Sequence, residues 1–138
     1  EKSYRLIPRE MSIEYSAYES GLDRFVRLDK ENDFIGKKAL KDWQDRGATN
    51  GFVTLEVLGI VDADARGSEA IYNNGEVVGR ATSGGFGWRC GKSLALGLVK
   101  KDLTTIGTEL EIEILGEKYK SVVIDESPFD PTNESLRS

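Results

Sequence analysis

The ten residues Gly84-Gly-Phe-Gly-Trp-Arg-Cys-Gly-Lys-Ser93 end in the Gly-Lys-Ser that closes a phosphate-binding P-loop. Such a loop needs a glycine five residues before the Gly of Gly-Lys-Ser, so that successive N–H groups wrap a phosphate. That position is Phe86 here, with glycines one residue to either side. The loop should also open a helix, whereas Leu94-Ala-Leu-Gly-Leu98 reads as a strand. Gly85, Gly87 and Cys90 imitate Gly-x-Gly-x-x-Gly without the βαβ unit that gives that fingerprint meaning. The stretch is therefore expected to be a flexible hairpin or barrel-rim loop and not a nucleotide site.

Asp62, Asp64, Arg66 and Glu69 bring three acids and a guanidinium into one inter-strand segment. Calcium loops use tighter alternation with a turn glycine and a terminal Glu, so an irregular solvated loop is expected. Within it Arg66 stands before Gly67 and just ahead of a strand, where its fork could be presented to a carboxylate. Its residue-level reading is a surface ion-pairing group. Glu19 and Arg24 bracket Gly21, a pair that could orient a ligand ring or simply pack the chain as an ion pair. Cys90 has Arg89 and Lys92 beside it, which would lower a thiol pKa. With no histidine in the chain, neither a His-based triad nor a usual zinc site can be built. Trp88, among glycines, is expected to be exposed; Trp43 is expected in a helix core.

Two textures position these groups. Residues 1 to 50 hold ten basic and ten acidic residues and three of the fifteen glycines. There Ile35, Ala39, Leu40 and Trp43 share one face of a helix expected from Ile35 to Arg46, closed by Gly47. Leu22 to Leu28 alternates as a strand with mixed faces. From Phe52 onward, glycines recur every ten residues or so between β-branched alternations, the spacing of an all-β barrel or sandwich of five or six strands. Strands are expected at Phe52–Leu58, Glu76–Thr82, Ser93–Val99, Glu109–Ile114 and Tyr119–Ile124. Asn74-Gly75 supplies a tight hairpin turn. Leu110, Ile112 and Ile114 should face a core while Glu109, Glu111 and Glu113 face water. Ser127 to Thr132 is a proline-punctuated extended exit.

With 138 residues the chain is about the size of one ordinary domain. Nineteen Lys and Arg against 24 acids leave a net charge of -5 and no basic footprint for nucleic acid or anionic lipid. No apolar run approaches a membrane span and no signal segment opens the chain, so a soluble, intracellular protein is expected. Because it opens at Glu1 inside ordinary domain sequence, it reads as a piece of something longer.

Seven strings in order, Glu1-Lys-Ser-Tyr-Arg5, Tyr18-Glu-Ser-Gly-Leu22, Asp33-Phe-Ile-Gly-Lys-Lys-Ala-Leu40, Ala65-Arg-Gly-Ser-Glu-Ala70, Gly79-Arg-Ala-Thr-Ser-Gly84, Lys92-Ser-Leu-Ala-Leu96 and Gly107-Thr-Glu-Leu110, together resemble the C-terminal part of the glycine cleavage T-protein (aminomethyltransferase) family. Their phrasing is closest to the folate-binding half of dimethylglycine and sarcosine dehydrogenases. The resemblance implies a mostly β chain with a short α+β N-terminal part. Residues 1–50 would close the folate-binding domain, and residues 51–138 would form an antiparallel β-barrel of the T-protein type. It implies tetrahydrofolate shared with an upstream domain, a methylated-amine substrate, and FAD on a domain outside this chain. By matching motif positions, Glu19, Arg24 and Arg66 are the expected cofactor-binding residues, with Arg24 standing where T-proteins carry tryptophan. The Ser-Pro that usually follows Thr-Ser-Gly is replaced by Gly87-Trp88. The assisting acid of the family lies upstream, so no catalytic residue is expected here and the piece alone should be silent. Localisation follows the host: cytoplasmic if bacterial, mitochondrial matrix if eukaryotic. The competing expectations to an oxidative demethylase of the dimethylglycine and sarcosine dehydrogenase kind are a glycine cleavage system aminomethyltransferase fragment and a non-enzymatic β-barrel interaction module, the last using the acidic strand face and the Trp88 loop as its contact.

Overall fold

A computed structural model describes the whole chain, Glu1–Ser138. Its centre is a closed antiparallel barrel of six strands: β1 (Asn50–Val57), β2 (Ala70–Asn73), β3 (Glu76–Gly87), β4 (Lys92–Lys100), β5 (Glu109–Ile114) and β6 (Glu117–Ile124). The strands run round the barrel in the order β1-β4-β3-β2-β5-β6, so every edge is paired. Three tight hairpins set this order. Asn74 and Gly75 turn β2 into β3 with φ of 51° and 83°, and Leu115 and Gly116 turn β5 into β6 with 53° and 85°. Such paired positive angles match the twist of antiparallel strands.

Alternation fills the interior. Val53, Leu55 and Val57 of β1, Leu110, Ile112 and Ile114 of β5, and Ile71, Val99 and Val123 form one buried cluster. Leu110, Ile112 and Ile114 thus face the core as their spacing predicts, and the mostly β chain with an antiparallel barrel expected from the sequence is present. Burying a Val, Leu or Ile contributes roughly 1.5–3 kcal/mol, so this ring of side chains carries the stability of the chain.

Three local expectations need correction. Leu22 to Leu28 is not a strand: Asp23–Phe25 form a single 3₁₀ turn, closed by the Val26 N–H donating to the Asp23 carbonyl. Alternating residues over so short a span do not distinguish a strand from a chain that folds back on itself. Of the hairpin or barrel-rim loop expected over 84–93, the hairpin is present, but its glycine-rich run 84–87 is not a loop: it is the end of β3, registered against β4 from Gly84–Ala95 to Gly87–Lys92. The reason is close approach: a Cβ on Gly84 would stand 2.7 Å from the Ala65 carbonyl oxygen and 2.9 Å from that of Leu94. Trp43, expected as helix core, is half-buried on α1 (Lys37–Arg46), a helix that buries no residue and whose Trp43 ring carries the Arg46 guanidinium 3.8 Å above it.

The first fifty residues otherwise lie as turns and extended chain over the barrel. The residues they bury are Ser3, Glu10, Glu19 and Ser20, all polar, while Tyr4, Ile7, Ile13, Phe25 and Ile35 are exposed by 67% or more. Hydrogen bonds hold this layer to the barrel: the Ser3 hydroxyl meets that of Thr54 at 2.8 Å, and the Phe52 N–H donates to the Glu19 carbonyl at 2.8 Å. The exit segment returns across the start of the chain, where the Ser127 hydroxyl donates to the Lys2 carbonyl. A four-residue turn of helix, α2 (Glu134–Arg137), follows.

Candidate functional site

Two clefts lie where this layer meets the barrel. The larger, about 1020 Å³, is lined by Tyr4, Arg5, Arg24, Phe25 and Glu126 among others. Arg5 anchors it. Its side chain is 4% exposed and its guanidinium donates to the carbonyls of Ser3 and Ser20, pairs with Glu126 and lies 3.8 Å over the Phe52 ring. Arg24 reaches the same Glu126 oxygen at 3.5 Å from a side chain 58% exposed, so its guanidinium is held at the cleft but stays open to solvent. Burial pushes the Glu126 carboxyl up, yet the hydrogen bond and charge of Arg5, with Arg24 behind it, outweigh that and hold it below the ordinary value. The cleft therefore keeps a fixed carboxylate between two guanidiniums.

The second cleft, about 370 Å³, is lined by Arg9, Glu14, Arg66, Gly67, Arg80 and Thr82 among others. Arg66 comes from the connection between β1 and β2, which is irregular and largely exposed as expected, yet is pinned by hydrogen bonds. The Glu69 carboxylate accepts from the N–H groups of Arg66 and Gly67 at 2.8 and 2.7 Å. The Ser68 N–H donates to the Ala81 carbonyl, and the Ala81 N–H to that of Glu69, both at 2.8 Å. Gly67 takes a φ of 119°, a region that disfavours any side chain. The exposed Arg66 side chain makes no ion pair, so the ion-pairing expectation for it fails and its guanidinium is free at the mouth of the cleft. Arg80 is different, pairing with Glu14.

Glu19 lines neither cleft. It is 3% exposed, and both of its oxygens are used: one by the Ser16 N–H and hydroxyl at 3.1 and 3.2 Å, the other by the Asn50 side chain at 3.2 Å. It ties the overlying layer to the first residue of β1. The structure therefore separates the three residues singled out from sequence, setting Arg24 in one cleft, Arg66 in another and Glu19 beneath the surface.

Sequence reasoning missed Glu10, which is completely buried. Its carboxylate accepts from the Leu6 N–H at 2.8 Å and the Ser83 hydroxyl at 2.9 Å. Burial pushes this carboxyl up, but the Thr82 hydroxyl nearby and the hydrogen bonds from Leu6 and Ser83 together overcome it, and the net shift is downward. No local pattern marks Glu10, because its Ser83 partner is 73 residues away. Arg5 and Arg9 were missed as organising groups for the same reason, with partners 121, 57 and 73 residues away. At the β3–β4 hairpin the Trp88 ring is 86% exposed and stacks edge-on to Phe86 at 4.9 Å, as an exposed Trp88 was expected to be available to do. Cys90 departs from expectation. Burial first, then the Glu1 carboxylate, push its thiol up, more than offsetting Lys92.

No three His, Cys, Asp or Glu side chains gather to hold a metal ion. No helix is long and apolar enough to cross a membrane.

Comparison with known proteins places this geometry. A family model described as the glycine cleavage T-protein C-terminal barrel domain matches residues 51–130. The chain is 41% identical over 139 residues to mitochondrial dimethylglycine dehydrogenase of Homo sapiens, covering 99% of this chain and 16% of that protein. It is 36% identical over 119 residues to an aminomethyltransferase of Synechocystis sp., covering 86% of this chain and 32% of that protein. A crystal structure of glycine cleavage system aminomethyltransferase T from Bartonella henselae superposes with a TM-score of 0.82 at 24% identity, over 93% of this chain and 36% of that one, which shows the shared fold. The chain thus spans about a sixth of the dehydrogenase and about a third of the transferases.

Proposed function

The chain belongs to the glycine cleavage T-protein C-terminal barrel family, and from that premise we propose that it supplies one wall of a tetrahydrofolate site in a larger one-carbon enzyme. The observation that carries this reading is the asymmetry of the first fifty residues, which bury only polar side chains and turn Tyr4, Ile7, Ile13, Phe25 and Ile35 outward. Large apolar groups left exposed by a segment that buries only polar ones fit a surface that another body covers. That body is the upstream part of the same folate domain, of which residues 1–50 form the close and residues 51–138 the adjoining barrel.

In this reading the barrel side offers Arg66, a free guanidinium on a pinned loop, to a carboxylate or pterin oxygen of the folate through paired N–H donors. Arg24 adds a second guanidinium where the larger cleft opens. Glu19 contributes by fixing the layer and meets a ligand only from behind it. Bound tetrahydrofolate supplies the nitrogens that accept the one-carbon unit; these residues orient it and exclude water. The wholly antiparallel sheet lacks the βαβ unit of the dinucleotide-binding fingerprint. A flavin, where the whole protein uses one, belongs to another domain.

Within the family, oxidative demethylation of a methylated amine such as dimethylglycine is favoured over aminomethyl transfer. The support is the 41% identity to a dimethylglycine dehydrogenase across nearly the whole chain, against 36% over a shorter span to an aminomethyltransferase. The test is Arg66→Ala in the full-length protein. Loss of a charge-assisted contact should weaken tetrahydrofolate binding about tenfold or more, with the melting temperature unchanged. Equal loss of affinity and stability would remove the ligand role.

A further inference from the structure

The Arg66 loop is held from two sides. On one, the Glu69 carboxylate takes the N–H groups of Arg66 and Gly67. On the other, a single guanidinium nitrogen of Arg9 donates to the carbonyl of Arg66 and, at 3.0 Å, to the carbonyl of Thr82. Thr82 sits at the register shift between Ala81 and Ser83, where β3 bulges away from β4. A bulge re-aims the groups of the residue it leaves unpaired, and here it leaves a carbonyl for Arg9 to take. The Arg9 head occupies space that only glycine leaves: a Cβ on Gly67 would stand 3.2 Å from the Arg9 nitrogen and 2.6 Å from the Thr82 oxygen. Arg9 has no carboxylate partner, so its charge is spent on carbonyls of the barrel. Its own backbone is fixed by the next residue, Glu10, buried and bonded to Ser83 on the same strand.

We infer that Arg9 is a positioning residue for Arg66: it clamps the Arg66–Gly67 peptide to the β3 bulge so that the Arg66 guanidinium is aimed into the cleft. This rests on the reading of Arg66 as a ligand-binding group and goes beyond it, because Arg9 belongs to the layer that covers the barrel. The cleft is thereby assembled by two parts of the chain, and the covering layer sets the aim of a barrel side chain. Arg9 acts through Arg66, so removing it matters only while Arg66 is present.

A double-mutant cycle in the full-length protein separates this from a general structural role. Tetrahydrofolate affinity and melting temperature are measured for the parent, Arg9→Ala, Arg66→Ala and the double variant. Arg9→Ala is expected to weaken binding about fivefold, on the scale of coupling between contacting residues, and the double variant is expected to bind no more weakly than Arg66→Ala. If Arg9→Ala does not fold, Arg9→Lys enters the same cycle under the same criterion. Multiplicative losses in the double variant, or full affinity in Arg9→Ala, would overturn the positioning role. Full affinity in Arg66→Ala alone would remove the parent reading, and this inference with it, and that outcome is distinguishable because it involves no change at Arg9.

Discussion

Glu10 is the residue whose removal should be felt most for its size. Replacing it with alanine leaves the Leu6 N–H and the Ser83 hydroxyl, both part-buried, without their acceptor. A fully buried orphaned donor costs about 1–3 kcal/mol, so with partial water access Glu10→Ala should lose roughly 1–3 kcal/mol in all, of a total that for such domains is about 5–15 kcal/mol. Glu10→Gln keeps one carbonyl acceptor, and the Ser83 hydroxyl can rotate to accept from the new amide, so its loss should be near 1 kcal/mol. Urea unfolding of the chain, followed by tryptophan fluorescence, measures both. The pH dependence adds a second arm. The folded Glu10 carboxyl lies below its ordinary value of 4.5, so its contribution is complete above that value and fades as pH falls through the lower folded value. The stability gap between the parent and Glu10→Gln should therefore narrow in acid below 4.5. An alanine variant within about 0.5 kcal/mol of the parent, the usual range of a neutral surface change, would refute the reasoning. So would a glutamine variant worse than alanine.

Three further outcomes are expected. Ser121→Ala should stabilise the chain by about 1 kcal/mol in calorimetry, because the Ser121 hydroxyl is wholly buried and has no hydrogen-bond partner. Gly79→Ala should cost about 3 kcal/mol or more in the same urea assay, since a Cβ there would meet the Leu98 oxygen at 2.2 Å and the Val99 Cα at 2.8 Å across the β3–β4 pair. Cys90 should alkylate slowly near neutral pH, with a rate midpoint above the ordinary 9.0, and Glu1→Gln should bring that midpoint down.

The barrel was largely legible in the residues because its signals are local. Glu109-Leu-Glu-Ile-Glu-Ile114 alternates with period two, and Asn74-Gly75 takes the positive angles its hairpin requires. The helix was legible for the same reason, with apolar spacing of four and Gly47 at its end. The failures are at places where a distant partner decides. Leu22 to Leu28 alternates, but the chain turns at Asp23–Phe25, on the wall of the cleft it shares with Arg5 and Glu126, instead of pairing with a neighbour strand. Gly84 and Gly87 look like loop residues until the Ala65 carbonyl and the Leu94 side chain are seen pressing on them. Of the site, Arg66 could be singled out from its motif, and its freedom from an acidic partner could not. Glu69 looked like one more acid of a solvated loop, whereas its carboxylate is what shapes that loop. Glu10 and Arg9 carried no signal, because their partners on β3 lie 73 residues away.

The central claim is that this chain is one wall of a folate site completed by an upstream body. Tetrahydrofolate titration, read by quenching of Trp43 and Trp88 fluorescence, tests it on two proteins side by side: this chain, and a version extended upstream to a complete folate domain. The account predicts saturable binding by the extended protein and none by the chain alone. Absence of binding by both would contradict it and leave the barrel, with its exposed Trp88 hairpin, as an interaction module.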